Sequence, residues 1–145
     1  MRIIGLDPGP SESALVLWDG KIEFAMKQPN EFVLKELVLR RTEPLLVIEQ
    51  IASFGMPVGE EVFETVFWSG RFAEAFGMAR VGRLKRLDVK MRLCHDSRAK
   101  DANIRQALID RLGAPGTKKK PGPTFGMAGD LWSALAVAVA WQEPT

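Results

Sequence analysis

Three acids in this chain of 145 residues stand where chemistry could use them: Asp7, Glu49 and Asp130. Asp7 ends the run Arg2-Ile3-Ile4-Gly5-Leu6 and is followed at once by Pro8-Gly9. Glu49 ends Leu45-Leu46-Val47-Ile48 and is followed by Gln50-Ile51. A β-forming run that ends in an acid carries a desolvation cost unless something cationic sits there. If the two runs pair as neighbouring parallel strands, their carboxylates converge at one edge of the sheet. Oxygen donors gathered that way make divalent-metal sites, and such sites serve phosphoryl transfer. Asp130 opens a long apolar helix. In a first turn it is an ordinary favourable charge at the helix dipole. It has a second reading because that helix must pack on the sheet and bring its N-terminus with it.

The elements that must position these acids can be read in order. Strand 1 covers about 2–7 and stops at Pro8-Gly9-Pro10. Strand 2, Ser13–Trp18, leads into Asp19-Gly20, a two-residue hairpin signal. Strand 3, Lys21–Lys27, alternates Ile22, Phe24 and Met26 with Lys21, Glu23 and Ala25. Asn30 is placed to cap a helix over about 31–42, closed by Pro44. The run 45–51 is apolar on both faces, which predicts a central strand.

After the loop Ser53–Gly59, a helix over 60–76 carries Val62, Val66, Ser69, Phe72, Ala73 and Phe76. The stretch 79–94 reads as one or two strands, the clearer being Val89-Lys90-Met91-Arg92-Leu93. Asp96 or Ser97 would cap a helix over 98–112, with Gly113 beyond its end. Residues 114–126 read as a mobile loop, and the last helix covers about 128–142. The expected fold is α/β: a mixed five-stranded sheet, made of a three-strand antiparallel meander plus parallel strands, flanked by helices. In it Asp7 and Glu49 meet at the carboxyl edge, where α/β sheets hold their sites.

Composition narrows the function classes. With 46% hydrophobic residues the chain has enough for one core, and 1–145 reads as a single domain. No apolar stretch reaches the roughly 20 residues of a membrane span, and no signal-like leader is expected. One cysteine, Cys94, excludes an internal disulfide framework, and one histidine argues against a protein-built zinc site. A soluble cytoplasmic protein is expected. Net charge is only +2, but it is unevenly spread. Residues 1–79 hold seven Lys/Arg against twelve Asp/Glu, and residues 80–120 hold thirteen against four. An acidic half with candidate metal ligands and a basic segment with candidate phosphate contacts suit a nuclease. Taken alone, the basic segment is equally a solvated surface.

Gly5-Leu6-Asp7-Pro8-Gly9, then Ile48-Glu49-Gln50, then an acid opening a helix that runs Ala134-Leu135-Ala136-Val137-Ala138-Val139, resembles the RuvC family of Holliday-junction resolvases. That family belongs to the ribonuclease H-like superfamily. Ser97-Arg98-Ala99-Lys100-Asp101-Ala102-Asn103-Ile104-Arg105-Gln106 looks like the family's basic helix start, with a lysine near the scissile phosphate. The resemblance implies metal-dependent phosphodiester hydrolysis in four-way or related branched DNA, carried out by a homodimer. It also implies a bacterial or phage setting, a short variant with few acids being of phage type by analogy.

Carried over residue by residue, Asp7, Glu49 and Asp130 would be the metal-holding catalytic acids and Lys100 a catalytic cation on the phosphate. Two Mg²⁺ ions are implied, with Mn²⁺ able to substitute. Asp7 would bridge both, Glu49 would hold one and Asp130 the other. The family carries a second ligand three residues further along the last helix. Here that residue is Ser133, a hydroxyl that could act directly or through water.

Weaker features remain open. Arg98, Lys100, Lys118, Lys119 and Lys120 are candidate DNA contacts, the three lysines lying either in a phosphate-binding loop or in a plain linker. Phe54 follows Glu49 where the family carries an aromatic wedge, but core packing is an alternative. His95 could approach phosphate or metal, or be structural. Asp96 is expected to cap a helix and Asp101 to face solvent. Phe63, Phe67, Trp68 and Phe72 exceed what one buried face needs, leaving a surplus for a dimer interface. Two other functions compete: a ribonuclease H-like junction-binding module that has lost catalysis, and an actin-like nucleotide-binding domain. The second needs two lobes and fits 145 residues poorly.

Overall fold

The computed structural model describes residues 1–144. Five strands form one mixed sheet: β1 (Ile3–Asp7), β2 (Glu12–Trp18), β3 (Ile22–Pro29), β4 (Leu46–Gln50) and β5 (Val81–Lys85). Their order is β3-β2-β1-β4-β5. The first three are an antiparallel meander, and β1–β4 and β4–β5 pair in parallel. The helices are α1 (Asn30–Leu39), α2 (Glu60–Phe76), α3 (Arg86–Cys94), α4 (Asp101–Leu112) and α5 (Asp130–Gln142). The expected five-stranded α/β architecture is what forms.

The period-two alternation of the strands splits the core in two. Ile4, Leu6, Leu15, Leu17, Leu46 and Ile48 face α1 and α2. Ile3, Val16, Val47 and Leu84 face α5, with α3 and α4 packed beside it. By the same alternation Asp7 and Glu49 point to the α5 side. Helix α5 is apolar all round, burying Ala134 through Ala140, because sheet and helices enclose it. Among the described residues no helix is long and apolar enough to cross a membrane.

Four expectations about elements are corrected. Val89–Leu93 is not a strand but part of α3, since Val89 and Leu93, one turn apart, are the buried pair. The strand of this region is Val81–Lys85. The helix expected from 98 begins at Asp101; Asp96 instead caps a tight turn, accepting from the Arg98 N–H at 2.9 Å. Asn30 does not cap α1; its side chain is buried and bonded elsewhere. Ile22 does not share a face with Phe24 and Met26, because the β2–β3 register slips between Leu17 and Trp18. Ile22 and Ala25 pack on the α5 side, Phe24 and Met26 on the other.

Candidate active site

Asp7 is the last residue of β1, and its neighbour on β4 is Glu49, one step past the Leu6–Ile48 pair. A small polar clamp fixes the chain just beyond Asp7. The Gly9 N–H donates to Ser13 Oγ (3.1 Å), Ser13 Oγ donates to Asn30 Oδ1 (2.6 Å) and Asn30 Nδ2 donates to the Gly9 carbonyl (3.0 Å). Ser13 and Asn30 are buried, so this pairing satisfies what would otherwise be costly orphan groups. The third acid arrives with α5. Gly129 at φ 52° turns the chain into the helix, and Asp130 is its first residue. Ser133 follows one turn later, half-buried.

The electrostatics are those of crowded acids. Burial pushes the Asp7 carboxyl up to about 8, the Glu49 and Asp130 charges add to the rise, and Arg86 and Lys27 oppose it. Glu49 is also raised, by burial first, with Arg86 pulling it back. Two cations that sequence reasoning did not single out hold these acids. Lys27 lies in a row across the sheet with Ala14 and Asp7, and its Nζ meets Asp130 Oδ2 at 2.8 Å. Arg86 opens α3 directly after β5. Its Nη1 stands 3.5 Å from Glu49 Oε2, and its Nη2 pairs with Asp101. Asp101 faces solvent as expected, its side chain 83% exposed, and it also pairs with Arg86 at the site's rim.

Among the described residues no three acid, histidine or cysteine side chains converge as a ready-made metal cage. Asp130 is paired with Lys27 and Glu49 with Arg86. The donor set nonetheless suits a hard cation: carboxylate oxygens only, one of them, Glu49 Oε2, buried without a hydrogen-bond partner. A cleft of about 150 Å³ lies alongside, lined by Arg86, Asp101, Arg105, Asp130 and Ser133 among others.

The remaining candidates are spread around this edge. Lys100 is exposed at the start of α4, where its backbone N–H donates to Asn103 Oδ1 (2.9 Å); its amine pairs with none of the acids. Arg98 is exposed near Asp96. Lys118, Lys119 and Lys120 sit at the tip of a short hairpin closed by a Gly116–Pro121 bridge. That segment, expected as a mobile loop, is therefore tied at its base. Phe54 is not in the core: it is 64% exposed, at φ 51°, in the loop after β4. His95 ends α3 in the left-handed region, at the opposite end of that helix from Arg86, near Asp88, Arg92 and Pro144.

No protein-family model matches the chain, and no curated protein does. Solved structures do. Thermus thermophilus RuvC superposes with a TM-score of 0.70 over 97% of this chain and 92% of its own, at 18% identity. T. thermophilus RuvC in complex with a Holliday junction substrate gives the same values. With its mixed sheet in the order β3-β2-β1-β4-β5 and its helices on both faces, this chain has the RuvC-type, ribonuclease H-like fold.

Proposed function

We propose that this chain is a structure-selective endodeoxyribonuclease that resolves four-way or related branched DNA by divalent-metal-dependent phosphodiester hydrolysis. The observation that carries the reading is the pair Asp7 and Glu49 on neighbouring parallel strands, faced by Asp130 from the helix packed over them. The likeness in fold to a RuvC bound to a Holliday junction substrate supports the substrate class. We take 1–145 as one nuclease domain acting as a homodimer. The exposed Phe63, Val66 and Phe67 on α2 would serve that contact.

Asp7, Glu49 and Asp130 would hold Mg²⁺ or Mn²⁺. When bound, such an ion activates water and stabilises the leaving oxygen of an in-line displacement. The chain's own contribution is positional. The Gly9–Ser13–Asn30 clamp fixes Asp7, Glu49 releases Arg86, and Asp130 releases Lys27, so that the acids turn to a common point. Lys100, Arg98 and the Lys118–Lys120 tip are exposed cations for the DNA backbone around that point.

The test is a gel assay of wild type and Asp7→Asn on a labelled four-way junction and on linear duplex, with Mg²⁺, Mn²⁺ or EDTA. Paired nicks in the junction alone, lost in EDTA and in the variant, are expected. Tight junction binding without cleavage in any metal would instead support a binding module. The two ion pairs that occupy Asp130 and Glu49 favour that second reading.

A further inference from the structure

We infer that Arg86 is a catalytic residue of this site, its guanidinium taking the scissile phosphate on the side of the cleft where Ser133 stands in place of an acid. One divalent ion and one arginine would then share the task of two ions. The inference rests on the nuclease reading above.

Three observations carry it. First, Arg86 is poorly satisfied where it lies. Its side chain is 23% exposed, yet Nη1 is buried with no hydrogen-bond partner, as is the Glu49 Oε2 opposite. At 3.5 Å the two are held mainly by charge, a contact too long to saturate the donor, so Nη1 keeps hydrogen-bonding capacity inside the site. Second, Arg86 borders the cleft together with Arg105, Asp101, Asp130 and Ser133, so a phosphate entering there meets two arginines beside the acids that would hold the ion. The planar fork of arginine suits two phosphate oxygens at once.

Third, the local charge fits one ion. With the Asp7 proton displaced by metal, Asp7, Glu49, Asp101 and Asp130 against Lys27, Arg86 and Arg105 leave one negative charge, which a single divalent cation already more than offsets. A second ion needs another anion, and the Ser133 hydroxyl is neutral.

The step is ordinary hydrolysis. A water oxygen bonds to phosphorus as the bond from phosphorus to the leaving sugar oxygen breaks. The water's proton goes to solvent, and the leaving oxygen takes one back. Arg86 keeps its proton throughout and donates hydrogen bonds to the non-bridging oxygens as their charge grows.

The experiment compares wild type, Arg86→Gln and Arg86→Lys in two assays: Mn²⁺ titration calorimetry without DNA, and single-turnover cleavage of a four-way junction at saturating Mn²⁺. Wild type should bind one Mn²⁺ per protomer. Arg86→Gln should bind Mn²⁺ at least as tightly, since a cation beside Glu49 is gone, yet cleave about 100-fold more slowly or worse. Arg86→Lys, which keeps the charge but loses the fork, should fall between and serves alone if Arg86→Gln does not fold. Weaker Mn²⁺ binding in Arg86→Gln, two ions per wild-type protomer, or full activity in either variant would overturn the inference. A wild type that binds Mn²⁺ but cuts no junction would overturn the nuclease reading itself, and that is seen before any variant is made.

Discussion

Gly5 of β1 and Ala134 of α5 touch backbone to backbone: a methyl group on Gly5 would lie 2.1 Å from the Ala134 carbonyl oxygen and 2.9 Å from Ala138 Cβ. This close approach sets the distance between β1 and α5, and so between Asp7 and the pair Asp130 and Ser133. The carbonyl is committed to the helix and has no freedom to yield. Gly5→Ala should destabilise the fold by about 1–3 kcal/mol, the usual cost of overpacking a core. It should also weaken Mn²⁺ binding, because α5 must lift away from Asp7. Urea unfolding and calorimetry check the two effects. Stability and affinity both unchanged would mean the close approach does not set the site.

A second prediction follows from the Asp7 carboxyl, held up at about 8 by burial and by Glu49 and Asp130, against the opposing pull of Arg86 and Lys27. An unfolded aspartate ionises near its ordinary value of 3.8, so between that pH and about 8 the metal-free native state holds the extra proton. Stability is then greatest at low pH in that window and falls as pH rises through it, by up to about 1.4 kcal/mol per pH unit for one proton. Asp7→Asn should flatten the slope and raise stability at pH 8. Metal must displace the same proton, so Mn²⁺ affinity should climb with pH up to about 8. Unfolding curves from pH 5 to 9, with and without Mn²⁺, are the measurement; a pH-independent difference between wild type and variant would refute the assignment.

How far the sequence reveals this depends on what fixes each feature. Glu60–Phe76 forms the helix expected over 60–76, because seventeen residues give a long periodic pattern and Gly77 ends it. Val89–Leu93 is ambiguous in sequence: its apolar residues fit a strand's spacing of two and a helix's spacing of four equally well. Packing on α5, with Asp88 accepting from the Lys85 N–H at 3.0 Å, decides for the helix. The acids stand out because each ends an apolar run or opens one, whereas their cationic partners do not. A two-residue turn at Asp19-Gly20 would set Ala25 opposite Ala14; a turn one residue longer, which pairs Trp18 with Ile22, and the slip between Leu17 and Trp18 together set Lys27 there instead, in line with Asp7. Arg86 is hidden because its position depends on β5, whose Val81-Gly82-Arg83-Leu84-Lys85 lacks a clean period of two.

The lysine hairpin yields a prediction that does not depend on metal. The Thr124 hydroxyl, fully buried, donates to the Gly113 carbonyl at 2.8 Å and anchors the segment's base. The Lys120 N–H donates to Thr117 Oγ1 at 3.1 Å and shapes the tip. Lys118, Lys119 and Lys120 are exposed, so changing all three to Ala should leave stability within about 0.5 kcal/mol. Junction affinity should drop, and the slope of log affinity against log salt should become shallower by about 0.9 for each phosphate no longer neutralised. Anisotropy titrations of a labelled junction at several KCl concentrations read this directly. An unchanged slope would remove the hairpin from the DNA-binding surface.

Ser133 gives the sharpest test of how many ions the site is built for. It lies one helical turn beyond Asp130 and lines the same cleft as Arg86. Ser133→Asp adds a carboxylate to a half-buried position already near two acids. In EDTA it should therefore lose about 1–3 kcal/mol of stability, the cost of a polar group buried without a partner. Mn²⁺ should restore that loss, because each ion bound by the native state alone shifts the unfolding equilibrium towards it. Calorimetry should then count a second ion where wild type binds one. If stoichiometry and the Mn²⁺-dependent gain in stability both match wild type, the residue 133 side chain does not reach the metal. The serine would then have no bearing on ion number.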